Sequence, residues 1–427
     1  MAALVALLGP LAVAGPPPTE ARVTQARVTQ ARATQARVTQ ARATQARTTQ
    51  ARATEAARPQ SYPVPADGVL RLRGHGYGHG RGMSQYGALG AARRGLDHRQ
   101  ILAFYYPGTT WGTVRAPIRV RLTADTTRDV VVGAATGLRV LDLGSGRSYP
   151  LPDIAGVRRW RLNVDGRRTV VGYLTSRWNR YRPGGLDALT GDGQLSADGP
   201  LTLWTPEGSR TYRGALRAAS PAPGSAERDT VNVLSLDQYV AGVLPAEMSP
   251  SWDRAALEAQ AVAARTYATF ERDQHPDRSW HVCDTSSCQV YRGVGAEHPR
   301  ANQAVAATSG RVLLRDGRAA FTQFSASSGG WLVAGTRPYL VAKADPYDGH
   351  AGNPVHDWTV RLPARRVETA YPRLGSLRRL LVTGRDGRGE WGGRVRSVVL
   401  DGTAADVVLS GDSFRSVFGL RSAWFAG

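Results

Sequence analysis

Lysine is almost missing from this chain of 427 residues: of 55 basic residues, all but Lys343 are arginine. GC-rich coding, as in actinobacteria, produces such a skew, and it assigns no function. Cysteine is as scarce, with Cys283 and Cys288 the whole supply. Two thiols exclude a disulfide-dense scaffold and any four-cysteine zinc module. No apolar run reaches the ~18 residues of a transmembrane helix. Glycine loops of the P-loop type, zinc-finger spacings and nucleic-acid modules are lacking too. Charge is then the sole argument for a nucleic-acid partner.

That charge is large. A formal +21 seeks a polyanion, whether nucleic acid, anionic lipid or an anionic cell-wall polymer. Residues 20–58 hold eight arginines against two glutamates and so supply +6 of it. From Ala21 they repeat every five residues, as ARVTQ, ARATQ or ARTTQ. A period of five matches neither helix nor strand, so no apolar stripe forms. Without aromatics or any aliphatic larger than valine, the segment cannot bury enough surface to offset the entropy of ordering. It reads as a disordered tether over 15–60, serving adhesion to wall polymers or plain spacing. Ahead of it, residues 1–14, MAALVALLGPLAVA, form an apolar stretch with AVA before Gly15, like a signal-peptidase site without a positive n-region. The expected location is outside the cell, secreted and wall-associated. That compartment selects wall polymers over nucleic acid.

A hydrophobic share of 42% is ordinary for a globular protein, and the length suffices for two or three domains. Order is expected from about Tyr62. DGVLRLRGHGYGHG predicts a strand entering a glycine turn, MSQYGALGAARRG a short helix closed by Gly95, and DHRQILAFYYPGT a helix ending at Pro107-Gly108. Between 115 and 235, short β-type runs alternate with turns: IRVRL, VVVGA, LRVLDL, TVVGYL, LTLWT and VNVLSL. A hairpin is expected around Asp316-Gly317, and β-rich sequence runs on to Gly427. Mixed strands with few helices indicate an α+β fold.

The clearest local pattern is PAEMSPSWDRAALEAQAVAARTYATFERD. It predicts a helix from Trp252 to about Asp273, with Ser249 as N-cap and Pro250 at the first helical position. Leu257, Ala261, Ala264 and Ala268 share one face, whose alanines permit close packing. Arg265 borders that face and is either a structural arginine or one that pairs with a carboxylate or an anionic ligand. Glu247 stands before the helix, at a strand-to-helix junction, flanked by apolar residues. Desolvation there raises a carboxyl pKa and makes a usable general acid; a solvated or capping role is the alternative.

The glycine-histidine run GHGYGHGRGMSQYGALGAA, residues 74–92, suits a backbone that turns tightly or is closely approached. His75 and His79 are open to ligation, catalysis or structural hydrogen bonding, although no third metal ligand stands nearby.

At this point the chain resembles the SpoIID/LytB family, the stage II sporulation protein D-like lytic transglycosylases. LSLDQYVAGVLPAEMSPSWDRAALEAQAVAARTYA is similar to the family's signature around its catalytic glutamate, which falls on Glu247. CDTSSCQVYRG, TSGRVLLRDGRAAFTQFSASSGG and PYLVAKADPYD resemble the segments that follow, and GHGYGHGRGMSQYGALGAARRGLDHRQILAFYYPGT the second signature. The resemblance spans roughly residues 69–427. It implies a β-rich, two-lobed domain with a central cleft. It also implies a circular permutation, because the glycine-histidine signature usually follows the glutamate segment and here precedes it. On that reading residues 61–113 complete the cleft, 114–350 are the catalytic core and 351–427 its C-terminal β-rich part. Glu258 stands where the family often has lysine, which puts in doubt a substrate contact from that side.

The resemblance implies cleavage of peptidoglycan glycan strands as a lyase, with Glu247 protonating the bridging oxygen and then accepting the proton of the substrate's own C6 hydroxyl. Arg265 would orient Glu247 or its neighbours. His79, Ser84, Gln85 and Gln289 would bind sugar, and Tyr239 and Tyr291 either present ring faces to sugars or pack in the core. Cys283 and Cys288, with His281 beside them, are open to a disulfide, to zinc, or to free thiols. Partners implied are glycan strands, anionic wall polymers and, from the LytB branch, a cell-wall amidase. A non-catalytic wall-binding protein or amidase modulator is the alternative reading.

Overall fold

Alanine sets how closely the centre of this protein packs. The computed structural model describes residues 59–427, so the apolar start and nearly all of the repeat tether lie outside the described residues. Seven helices are present among the described residues: α1 (Gln85–Arg93), α2 (His98–Tyr105), α3 (Leu236–Glu247), α4 (Arg254–Gln274), α5 (Pro299–Ala307), α6 (Ala364–Ala370) and α7 (Gly411–Phe418). On α4, Ala256, Ala259, Ala261, Ala263, Ala264 and Ala268 are all fully buried. They fall on more than one face, and α1, α2, α3, α5 and strand Arg311–Arg315 all pack on this helix. Single methyl groups let so many neighbours approach one axis.

The start of α4 differs from the sequence expectation. Asp253, not Ser249, is the N-cap, and Pro250 lies outside the helix. Ser249 instead closes a turn whose carbonyl accepts the Trp252 N–H at 3.0 Å. A second correction concerns Glu247. It does not follow a strand but ends the twelve-residue helix α3. Gly242 and Pro245 hide that helix in the sequence. Its visible sign is a capping box, in which Ser235 accepts from the Gln238 N–H and the Gln238 side chain accepts from the Ser235 N–H.

The strands form an α+β fold of mostly antiparallel sheets around two apolar cores. The larger core holds helices α1 to α5 with a seven-stranded and a six-stranded sheet. The smaller core lies under the four-stranded sheet Gln60–Pro63, Leu377–Arg385, Val395–Gly402 and Val407–Ser410 and includes Phe414 and Phe418 of α7. Strand Val69–His75 belongs to this smaller core through Leu70 and Leu72. It pairs with Asp357–Pro363 on one side and with Phe425–Ala426 on the other, where Arg73 faces Ala426. The glycine-histidine run then carries the chain across to the larger core, which it enters at Met83 and Ala88. The hairpin forms as expected: Leu314 faces Ala319 and Arg315 faces Arg318 across Asp316-Gly317, both at positive φ. The solitary lysine has a packing task, its Nζ lying 3.7 Å from the Phe104 ring centroid.

Arg265 locks the helical centre rather than facing a ligand. It is fully buried. Its guanidinium meets Asp237 of α3 at 2.7 Å and donates to the carbonyls of Arg311 at 3.2 Å and Val305 at 3.4 Å. One side chain thereby ties α3, α4, α5 and strand Arg311–Arg315 together. Removing it leaves the carbonyls of Ala261, Val305 and Arg311 without this donor, while Asp237 keeps the Ser309 hydroxyl and the Gly310 N–H, a loss of about 1–3 kcal/mol. Arg265→Ala is therefore expected to lower the denaturant midpoint by that much stability. A midpoint within experimental error of the parent would contradict the lock.

Candidate functional site

Glu247 stands at the C-terminal end of α3, where Met248 turns the chain into an extended conformation. Its carboxyl group is largely buried and accepts two hydrogen bonds, from the Val290 backbone N–H at 3.3 Å and from the Gln85 side-chain amide at 3.4 Å. Burial raises its pKa above the ordinary glutamate value, while the two donors oppose the rise. The group faces a cavity of about 460 Å³. Among the described residues, Glu247 is the only carboxylate on the cavity wall.

Three segments close that wall. The first is the glycine-histidine run, which contributes Tyr77, His79 and Gln85. Its glycines answer a steric demand: a Cβ on Gly82, whose φ is +67°, would stand 1.9 Å from the Gln323 carbonyl oxygen. Close approach lets Met83–Ser84 pair in parallel with Phe324–Ser325, and α1 starts directly behind with Gln85 pointing at Glu247. The second segment is the loop at Ser286–Val290, fastened by a disulfide between Cys283 and Cys288 with Cα atoms 5.5 Å apart. The third is Phe321–Ala326, which with Tyr267 gives the cavity an aromatic side.

His79 is neutral here. Burial, then the charges of Arg81 and Arg415, pull its pKa down to about 4. Its Nδ1 accepts the Arg81 N–H at 2.9 Å, so the ring proton sits on Nε2 as a donor. His75 has a different role, holding Asp357 at 2.6 Å and Glu390 at 3.0 Å and stacking on Trp391.

The structure brings Glu247, Gln85, His79 and Gln289 to one cavity and keeps Ser84, Tyr291, Tyr239, Arg265 and Glu258 off its wall. Ser84 is buried, caps α1 by accepting from the Gly87 N–H, and donates to Asp348 at 2.5 Å. Tyr291 packs flat against Gly242, where a Cβ would lie 2.6 Å from its ring, and its hydroxyl donates to Asn232. Tyr239 is likewise in the core and donates to the Gln289 Oε1 at 3.0 Å, so the Gln289 amide is turned inward although the residue lines the wall. Arg265 bonds Asp237, not Glu247. Glu258 pairs with His98 and Arg254.

Zinc does not fit at the cysteines. Both sulfurs are consumed by the disulfide, and the His281 Nδ1 accepts the Arg119 N–H at 3.1 Å. Among the described residues no three histidine, cysteine or acidic groups converge as a metal site. Sequence reasoning missed Tyr77, Tyr267, Phe321, Phe324 and Arg415. Of these only Tyr77 carried a signal, as the one aromatic residue between the two GHG triplets.

A family model described as stage II sporulation protein, SpoIID, matches residues 225–314, which include Glu247 and the disulfide loop. An uncharacterized protein of Brachyspira hyodysenteriae is 40% identical over 120 residues, 28% of this chain and 32% of that one. The amidase enhancer of Bacillus subtilis is 37% identical over 134 residues, covering 30% and 17%. Stage II sporulation protein D of Bacillus amyloliquefaciens is 26% identical over 217 residues, covering 46% and 61%. In each case the match spans less than two thirds of the relative's length.

The two donors to Glu247 make a direct test. Gln85→Ala removes one hydrogen bond that favours the carboxylate, so the Glu247 pKa should rise further above its ordinary value. Carboxyl-carbon NMR titration of the two proteins reads this shift, and an unchanged or lowered pKa would show that the amide does not bond the carboxylate.

Proposed function

Residues 225–314 belong to the SpoIID/LytB family, and from that premise we propose that the protein is an exported, wall-associated lytic transglycosylase. It cleaves the MurNAc–GlcNAc β-1,4 bond of peptidoglycan and leaves a 1,6-anhydro-MurNAc end. The family and the two named relatives support a cell-wall-related role. The observation that carries the finer reading is the single buried carboxylate. Hydrolytic glycosidases generally need two carboxylates across the scissile bond, one for the leaving group and one for water or a covalent intermediate. A cavity with one acid suits a reaction in which the substrate supplies its own nucleophile.

The steps follow from the atoms around Glu247. With its pKa raised by burial, the carboxyl group holds a proton to higher pH than a solvated glutamate would. It donates that proton to the bridging oxygen as the bond from this oxygen to the anomeric carbon breaks. The C6 hydroxyl of the same sugar closes on the anomeric carbon, and Glu247, now a carboxylate, takes its proton and returns to the starting state. The Val290 N–H and the Gln85 amide stabilise the carboxylate between the two transfers. Neutral His79 offers a donor to sugar oxygens, and the rings of Tyr77 and Tyr267 offer apolar faces.

Pairing of Val69–His75 with Phe425–Ala426, and the glycine-histidine run beside Glu247, support reading the chain as a circularly permuted form of the two-lobed domain. A second reading, an amidase modulator on the same scaffold, is favoured by the similarity to the amidase enhancer. Glu247 separates the two, because modulation through binding needs no acid.

Glu247→Gln is expected to reduce release of soluble fragments from purified glycan strands by roughly 10²–10⁴-fold, the usual range for a lost general acid. The same variant should be more stable than the parent at pH 7. Since the folded pKa is raised, the unfolded chain gives up its proton first. Stability is therefore lost as pH rises from the unfolded to the folded value, and glutamine avoids that loss. Undiminished release by the folded variant would remove Glu247 from the mechanism.

A further inference from the structure

Helix α4 is buried over most of its length, and near its end it brings rings to the surface. Ala256 to Thr266 are all buried, whereas Tyr267 and Phe270 are half-buried. Tyr267 lines the Glu247 cavity. Phe270, about one turn further on, lines a second cavity of about 660 Å³. Phe321 joins the two. It stands on the wall of the Glu247 cavity, with its ring centroid 5.8 Å from that of Tyr267 and 4.8 Å from that of Phe270. Its backbone N–H donates to the Tyr339 hydroxyl at 2.6 Å, and Tyr339 is on the second wall. The two cavities are therefore neighbours across one strip of rings.

Partly exposed apolar side chains that adjoin one another and carry a polar rim mark a groove that a ligand covers. The rim here is made of Arg315, Arg318 and Arg337 with Asp273 and Asp316. Asp316 pairs with Arg315 at 3.3 Å, and Asp273 with Arg272 at 2.7 Å. Arg318 and Arg337 are exposed and, among the described residues, have no acid within 4.0 Å. The Arg337 guanidinium carbon stands 5.5 Å from the Phe270 ring centroid, so its donors are held over the ring. A ring face edged by such donors suits a pyranose, whose C–H face rests on the aromatic ring while its hydroxyl and acetamido oxygens accept from arginine. A purely apolar partner would leave those donors unanswered. A densely anionic one would gain little from a wall whose three arginines are largely offset by two aspartates.

We propose that this second cavity is a distal subsite for the glycan strand held at Glu247. The strand passes over Tyr267, Phe321 and Phe270 and sets further sugar rings against Phe270, Arg318 and Arg337. The inference rests on the lytic transglycosylase reading for the identity of the strand. Its consequence is selectivity for length. A strand that reaches Phe270 gains contacts that a short one does not make, so binding tightens with length until the second cavity is filled and then levels off.

The test measures binding, not cleavage. Full-length protein carrying Glu247→Gln is titrated with peptide-stripped glycan fractions, from tetrasaccharide to dodecasaccharide, at fixed ionic strength. Binding should tighten about tenfold between the shortest fraction and the plateau, equivalent to ~1.4 kcal/mol. Adding Arg318→Gln with Arg337→Gln, or adding Phe270→Leu, should remove most of that gain. Arg139→Gln with Arg147→Gln, which removes the same charge from exposed positions elsewhere, should preserve it. Circular dichroism confirms that each variant is folded, and the exposed arginine pair keeps the test decisive if the Phe270 variant does not fold. Equal affinity for every fraction, or a full gain surviving in the Arg318 and Arg337 variant, would overturn the subsite. The outcome is separable from the cleavage reaction. If the parent never cuts glycan, length-dependent binding through Arg318 and Arg337 still establishes the subsite. If it cuts but binds short and long fractions alike, the subsite alone fails.

Discussion

Close packing around a helix of small residues is the constraint on which the site depends. Helix α4 is buried on several faces, and its fully buried alanines let α3, α5, α1 and α2 reach it together. A larger side chain at Ala261 or Ala264 would push a neighbour outward, and overpacking in a filled interior typically costs about 1–3 kcal/mol. The geometric consequence matters as much as the energy. Glu247 rides on α3 and Gln85 on α1, two helices that both pack on α4. A shift of about 1 Å between them would break the 3.4 Å contact that joins the two parts of the site.

The two charged groups set into this centre are answered. Arg265 is enclosed but has Asp237 and backbone carbonyls as partners. Glu247 is enclosed but has two donors, weak enough that burial still governs its protonation. The pattern breaks at the Gln260 amide on α4 and at Arg394, whose Nε and Nη1 nitrogens have no hydrogen-bond partner. Unsatisfied buried charge is the kind of cost that folded proteins carry at functional places rather than in their cores.

Much of this was legible in the sequence. The 316–317 hairpin, the long alanine-rich helix and the short helices at 85 and 98 follow from local rules, because turn chemistry and apolar periodicity decide them. Glu247 as the principal residue came from resemblance to a family signature, not from physics. Helix α3 escaped because Gly242 and Pro245 argue against helix locally, and tertiary contacts override them: Gly242 is needed for Tyr291 to pack. Ser84 looked like a sugar ligand because a hydroxyl in a signature invites that reading, and Tyr291 was open to a ring face on sugar or a place in the core. Their partners, Asp348 and Asn232, stand far away in the chain, and no local pattern announces such pairs. Arg337 and Arg415 were invisible for the same reason. In a chain whose basic residues are nearly all arginine, no single arginine stands out until the fold sets it beside a cavity.

The central claim is that one carboxyl group suffices because water is not the nucleophile. Cleavage of peptide-stripped glycan strands in heavy-oxygen water, with the new ends analysed by mass spectrometry, tests it directly. The account predicts 1,6-anhydro ends that contain no solvent oxygen. Reducing ends carrying one heavy oxygen from each cleavage would show hydrolysis and contradict it.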